Sequence, residues 1–503
     1  MMPSSLHRLR RFGVLQHTRG GRGPRRSRRP LVALALTLAA AAACSPSSLI
    51  DVQAPSTVVD PSLISSASAA AQLRTGALVW FMGALTRVGN SSVIGMSGQI
   101  TDELASTTPY CSNDCHVLNQ DSRVISNFNM GGDQSGYDYD ILQSARVKAL
   151  QAQQALQLYA SNTPSVPRAW QGEMYALEAY TVLFFAENYC SGIPLTVVPI
   201  TGAQTPTRGF TTTELFTRAV TLFDSALVMG ADSAQFVNLA SVGKARALLG
   251  LGQFAAADSA IQQVPTDFLY VIKGVTSDGT GMGYNYMSAQ VGSYRVEDNE
   301  GGNGLVWSTD PRTAIAMDST IAQGMLFPAK YHITPSGVPD PNYTSLDAPV
   351  RLADGLEARL IHAEAALYAN DGSWLTTLND LRATCIGATP CAPVPGLTTA
   401  SLPPLTDPGS ANTRLDLLMK ERAMWLYLTG HREADLRRLA RIYHRDINTL
   451  WPRGRISAPA FPPLMPVAAV EDGSQYGTDL VYGPDINEHI RNPLYGGCYD
   501  TNP

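Results

Sequence analysis

The residues that could do chemistry are concentrated in a few stretches of this 503-residue chain. His431, Arg432, Asp435, Arg437 and Arg438 lie within eight positions and would pass for a catalytic cluster. On a helix, however, Arg432 with Asp435 and Asp435 with Arg438 are neighbours at i,i+3, the spacing of structural ion pairs. His362 and Glu364 lack the two-histidine spacing of a metalloprotease helix and read as packing residues. Acidic residues are scattered, and no pair of carboxylates is singled out for glycoside hydrolysis. A Walker loop, a dinucleotide fingerprint and a Gly-x-Ser-x-Gly elbow are all missing. The chemistry on offer is recognition. Sugar rings pack their C–H faces on aromatic rings, while amides and charged groups satisfy their hydroxyls. Tyr284, Asn285, Tyr286 and Tyr294 lie in one glycine-rich segment, with Trp307 just beyond it. Tyr110 and Asn113, with His116 nearby, lie in an earlier polar segment. These are the candidate ligand-binding residues. No catalytic residue, cofactor or metal is expected.

The first 43 residues set a different constraint. They hold nine arginines and no acid, followed by the apolar run Leu31–Ala43. Thirteen apolar residues are short of the roughly 20 needed to span a bilayer, so the segment reads as an export signal. Ala41, Ala42 and Ala43 lead directly into Cys44, as in a lipoprotein signal, although Ala41 stands where Leu is usual. Lipidation of Cys44 would anchor the chain. Ser45 is not a retention-type Asp, which favours the outer membrane. Ser27-Arg28-Arg29-Pro30-Leu31 also looks like a twin-arginine signal, leaving both export routes open. Removing the nine arginines takes the net charge from −5 to −14, which argues against nucleic-acid binding. Seven cysteines less one lipidated leave an even six for an oxidising compartment. Cys111 and Cys115 form one close pair, Cys385 and Cys391 another, and Cys190 with Cys498 remain by elimination.

The elements that must position the candidate residues are helical from about Gln72 onward. Met174, Leu177, Thr181, Phe184 and Phe185 recur at helical spacing within 172–188, and Gly192 and Pro194 stop that helix. Thr213 is expected to cap the next, through Leu215, Ala219, Leu222 and Ala226 to Gly230. A pair follows, Lys244–Leu251 and Phe254–Val264, broken at Gly252. Its Ala245, Gly252, Phe254, Ala257 and Pro265 resemble a tetratricopeptide hairpin, and Ala358–Ala383 is a looser copy. Stacked hairpins of this kind would share one core. Three segments interrupt the helices near 107–139, 274–304 and 389–408. The second holds eight glycines and the third, over Thr389–Pro408, six prolines. Leu305, Val306 and Trp307 read as a short strand. Loops this long are usually functional or disordered.

Four stretches then fall into order. NYCSGIPL (Asn188–Leu195), HAEAALYANDG after Arg359, KERAMWLYLTGHREADLRR (Lys420–Arg438), and FPPLMPVAAVE with RNPLYGG near the C-terminus resemble the SusD/RagB family of outer-membrane nutrient-binding lipoproteins. Two departures stand out. Cys190 and Ser191 replace an aromatic and a glycine, and Glu433 with Ala434 replaces the aromatic pair after His431 and Arg432. The resemblance implies a mostly α fold, with tetratricopeptide-like hairpins, irregular loops and a few short strands. It implies a signal peptide over 1–43 and one binding domain over 44–503. It also implies a surface-exposed outer-membrane protein that binds an oligosaccharide, or a peptide, and delivers it to a SusC-like TonB-dependent transporter. The alternatives from other classes are a tetratricopeptide scaffold lipoprotein for outer-membrane assembly and a secreted hydrolase. Short regular repeats would favour the scaffold, and turnover would favour the hydrolase.

Overall fold

The computed structural model describes residues 66–86, 92–106, 123, 135–161, 163–201, 203–272, 294–296, 298–300, 303–313, 315–318, 325–328, 350–384, 402–452, 478–484 and 486–503. All of them fall within one unit, Pro61–Pro503. The fold is mostly α, as expected. The helices are α1 (Ala67–Thr86), α2 (Val93–Ile100), α3 (Ser135–Ala160), α4 (Ala169–Asn188), α5 (Thr212–Met229), α6 (Ala234–Gly250) and α7 (Phe254–Ile261), then α8 (Gly355–Tyr368), α9 (Ser373–Thr384), α10 (Ala411–Trp425), α11 (Arg432–Arg441), α12 (Ile447–Leu450) and α13 (Ile486–Arg491). Between α1 and α9 the helices pack as a series, α1 on α3, α3 on α4, and so through α5, α6, α7 and α8 to α9.

Helix α4 is the spine of this stack. It is apolar on nearly every side, and a helix of that kind has to be enclosed by others. Almost all of its residues are buried, including Glu173, Glu178 and Glu187. Each of these acids meets a cation. Glu173 pairs with Arg74 and accepts from the Tyr270 hydroxyl at 2.7 Å. Glu187 is held in a two-point grip by Arg246, at 2.6 and 2.7 Å. Burial raises the pKa of Glu178, against the pull of Arg146 and Arg218. Close approach of the helices depends on missing side chains. A Cβ on Gly243 of α6 would lie 2.2 Å from the Phe223 ring, and one on Gly172 of α4 would lie 2.4 Å from Gly230. Tyr180 and Phe223 fill the space so opened, edge to face with centroids 5.0 Å apart.

Several boundaries differ from the sequence expectation, each for a local reason. The cap of α5 is Thr211, not Thr213. Its hydroxyl accepts from Glu214 N and the Glu214 carboxylate accepts from Thr211 N, a complete capping box. Helix α6 begins at Ala234, ten residues before the expected Lys244, because Phe236, Leu239, Ala240 and Val242 extend its buried face. The polar loop near 107–139 ends early, with α3 starting at Ser135. Tyr139 there is buried against Phe185 and Tyr189, so tertiary packing overrides a Gly- and Asp-rich composition. The break at Gly252 is as expected, with φ +70°. In the second hairpin it is Asn370 that takes the positive φ, +57°.

The strands are short and antiparallel among the described residues. They pair β1 (Ala105–Ser106) with β5 (Tyr294–Arg295), β2 (Ile193–Pro194) with β3 (Gly209–Phe210), β4 (Leu269–Ile272) with β8 (Val350–Asp354), and β6 (Ile315–Asp318) with β7 (Met325–Pro328). The strand expected at Leu305–Trp307 does not form. Its backbone bonds go instead to the neighbouring loop. Asn299 N donates to the Leu305 carbonyl at 2.6 Å, and the N–H groups of Trp307 and Ser308 donate to the Asp298 carboxylate at 2.7 and 2.9 Å.

Candidate ligand-binding face

One end of each candidate segment is fixed beside one end of the other. Strand β1 ends at Ser106, where the early polar segment begins, and Ser106 sits opposite Tyr294 in β5, near the end of the glycine-rich segment. Tyr294 is therefore placed at the root shared by both loops. Tyr110, Asn113, Tyr284, Asn285 and Tyr286 lie outside the described residues, as do His116, Cys44, Cys111, Cys115, Cys385 and Cys391.

Trp307 departs from its expected role. It is 0% exposed and packs on Tyr427, with centroids 4.9 Å apart. A ring enclosed in this way cannot offer a stacking face, so Trp307 is a core residue. The apolar alternation that suggested a strand is the same signal that buries it.

What holds the loop roots down is a set of charges. Asp102, at the end of α2, takes two hydrogen bonds from Arg432 at 2.7 and 2.9 Å and a third from the Asn303 amide at 2.5 Å. This corrects the expected Arg432–Asp435 pair, since the guanidinium reaches across the molecule instead. Glu103 accepts from Leu428 N at 3.0 Å, fixing a turn whose Leu428 has φ +54°. Arg312 bridges Asp310 and Glu421, and Arg382 joins Glu421 from α9 at 2.6 and 3.0 Å. Burial opposes a charge on Glu421, but Arg312 and Arg382 outweigh it and hold its carboxyl below the usual range. Buried carboxylates bonded to guanidiniums in this way act as ties between distant segments. Among the described residues no group of three or more His, Cys, Asp or Glu could hold a metal ion.

The cluster around α11 is a structural network. Asp435 is gripped by Arg422, at 2.9 Å through both nitrogens, and by Arg438 at 2.8 Å, its expected i,i+3 partner. Arg438 also takes Glu364 of α8 at 2.6 and 2.8 Å. Burial opposes the charge of Asp435, yet the two arginines hold its pKa well below the usual carboxylate range. Nε2 of His431 lies 2.7 Å from Nη1 of Arg246 and 3.0 Å from the Glu357 carboxylate. His362, partly exposed, bonds Asp258 at 2.7 Å.

No family model and no curated protein matches the sequence. Solved structures do match the fold. A SusD superfamily protein from Bacteroides vulgatus is 14% identical, with 87% of this chain and 100% of that one covered and a TM-score of 0.60. A SusD-like carbohydrate binding protein from the same organism is 13% identical, with 86% and 98% covered and a TM-score of 0.56. A laminarin binding SusD-like protein is 12% identical, with 86% and 99% covered and a TM-score of 0.58. The chain has the SusD fold. Within it, stretches far apart in sequence that carried the resemblance meet in one place. The end of α4 accepts Arg437 of α11 at the Ala186 carbonyl, 3.0 Å away. Glu364 of α8 binds Arg438 of α11, and Cys190 is joined to Cys498 by a disulfide with Cα atoms 5.9 Å apart. These SusD-like motifs build the scaffold. No helix of the described residues is long and apolar enough to cross a membrane.

Proposed function

We propose that this chain is a SusD-type binding protein that captures an oligosaccharide outside the cell without altering it. In this reading residues 1–43 are the signal, a lipid on Cys44 holds residues 44–503 at the outer membrane, and a SusC-like TonB-dependent transporter receives the ligand. The supporting observation is a fold shared, over almost the whole length of each partner, with SusD-like carbohydrate binding proteins. The common root of two aromatic-bearing loops at β1 and β5 is the expected location of the ligand face.

Calorimetry against a panel of oligosaccharides and peptides, with product analysis of each mixture, tests the proposal. A glycan should bind and be recovered intact. Tyr284→Ala and Tyr286→Ala should each weaken binding by about 1–3 kcal/mol, as loss of an aromatic stacking platform does elsewhere. Undiminished affinity in both variants would move the site away from the glycine-rich loop. Binding of peptides alone would overturn the ligand class, and cleaved products would overturn the binding role. Cys44→Ala should release the protein from the outer-membrane fraction, and a variant that still fractionates there would remove the lipid anchor.

A further inference from the structure

A small cleft on the scaffold is lined by residues outside β1 and β5. It lies where the ends of α4 and α6 meet α11, with Arg437, Arg438, Arg441 and the Arg246-paired Glu187 along it and Phe216, Gly250 and Ile442 as apolar walls. Its volume of about 20 Å³ is room for one water or one halide-sized particle.

The three guanidiniums are unequally committed. Arg438 gives its Nε and Nη2 to Glu364 and Asp435. Arg441 donates to backbone oxygens of Pro503 and Asn502, at 2.6 and 3.1 Å. Arg437 is only 3% exposed and makes one bond, from Nη1 to the Ala186 carbonyl, while its Nη2 has no hydrogen-bond partner among the described residues. The acids that face it are Glu187, Glu433 and Asp500. Glu187 is taken by Arg246. Glu433 accepts from the Trp451 indole at 2.9 Å, and burial pushes its pKa up to about 7. Burial, reinforced by the neighbouring charge of Arg441, lowers the Arg437 guanidinium to about 9. A buried donor left unused is costly, and a charge-assisted bond to an anion is the strongest way to satisfy it.

We propose that this cleft binds one small monovalent anion of the halide class, held by Nη2 of Arg437 beside Arg441 and enclosed by the Phe216 and Ile442 walls. Bromide is the probe. In crystals of the protein soaked in bromide, an anomalous peak should sit within hydrogen-bond distance of Arg437. In solution, bromide replacing gluconate at constant ionic strength should raise Tm with the logarithm of its concentration once the site fills. Arg437→Gln should weaken bromide affinity on the order of tenfold or more, the usual effect of removing a charged hydrogen bond. Arg414→Gln, which removes an exposed guanidinium paired with Asp407, should leave bromide affinity unchanged. A crystal that shows only water in the cleft at saturating bromide overturns the proposal. So does equal bromide stabilisation of the wild-type protein and Arg437→Gln. If Arg437→Gln does not fold, the anomalous peak in the wild-type crystal decides the matter alone.

Discussion

Glu433 and Asp435 are two positions apart on α11, both buried, and titrate in opposite directions. Asp435 has two arginines, which outweigh its burial. Glu433 has a Trp451 indole and a more distant Arg437, which do not. For Asp435 the folded-state pKa lies below the unfolded one, so its contribution is full above about pH 4 and is lost as pH falls toward the folded value. For Glu433 the folded pKa is raised to about 7. The unfolded chain releases that proton from about pH 4.3 upward, so stability declines as pH rises from there to about 7. Glu433→Gln keeps an acceptor for Trp451 and removes the decline. It should be more stable than wild type at pH 8 by about 1–3 kcal/mol and equal to it near pH 4, measured by urea denaturation. Arg438→Met, in contrast, removes three charged hydrogen bonds from buried Glu364 and Asp435, leaving both to Arg422, and should cost about 3–5 kcal/mol at pH 7. The sequence shows Asp435 with Arg438, because that pair is local. It does not show Arg432 with Asp102 or Arg312 with Glu421, which are 330 and 109 residues apart and leave no periodic trace.

At the level of elements, helical periodicity is legible where one face is apolar. Helix α5 and the hairpin around Gly252 follow from spacing and turn residues, but the cap of α5 shifts to the residue that can close a box with Glu214, and α6 starts ten residues early at Ala234. Periodicity fails where packing supplies the reason for the structure. The start of α3 is one such place, and Leu305–Trp307 is another, with Asp298 capturing the amides a strand would use. Gly243 marks the tightest contact between neighbouring helices, and nothing in its sequence context announces that. Gly243→Ala would force a methyl into the Phe223 ring and should cost about 1–3 kcal/mol by denaturation, although alanine is the better helix former. Gly372→Ala meets no atom within 4 Å and should be close to neutral.

On the scale of the whole molecule, the resemblance was legible because its motifs are scaffold, and a scaffold constrains residue types through close packing and buried charge. The candidate ligand face is legible only as composition, because tyrosines in glycine-rich segments carry no spacing rule. That is also how Trp307 could be read as a platform when it belongs to the core. Cys190 and Cys498 form the bond that elimination gave them, spanning 308 residues. In the chain-entropy view, replacing both with alanine should cost about 5–6 kcal/mol, read as a fall in the denaturation midpoint relative to oxidised wild type. Cys190 is also 1% exposed, sealed under the turn that Asp500 and Tyr499 complete by pairing with Ser191. Its partner Cys498 is exposed and is synthesised 308 residues later, so the bond can close only after the last segment is made and is reached from the Cys498 side. A chain folded in a reducing compartment would therefore carry one covered and one open thiol into the next, and could still be oxidised there.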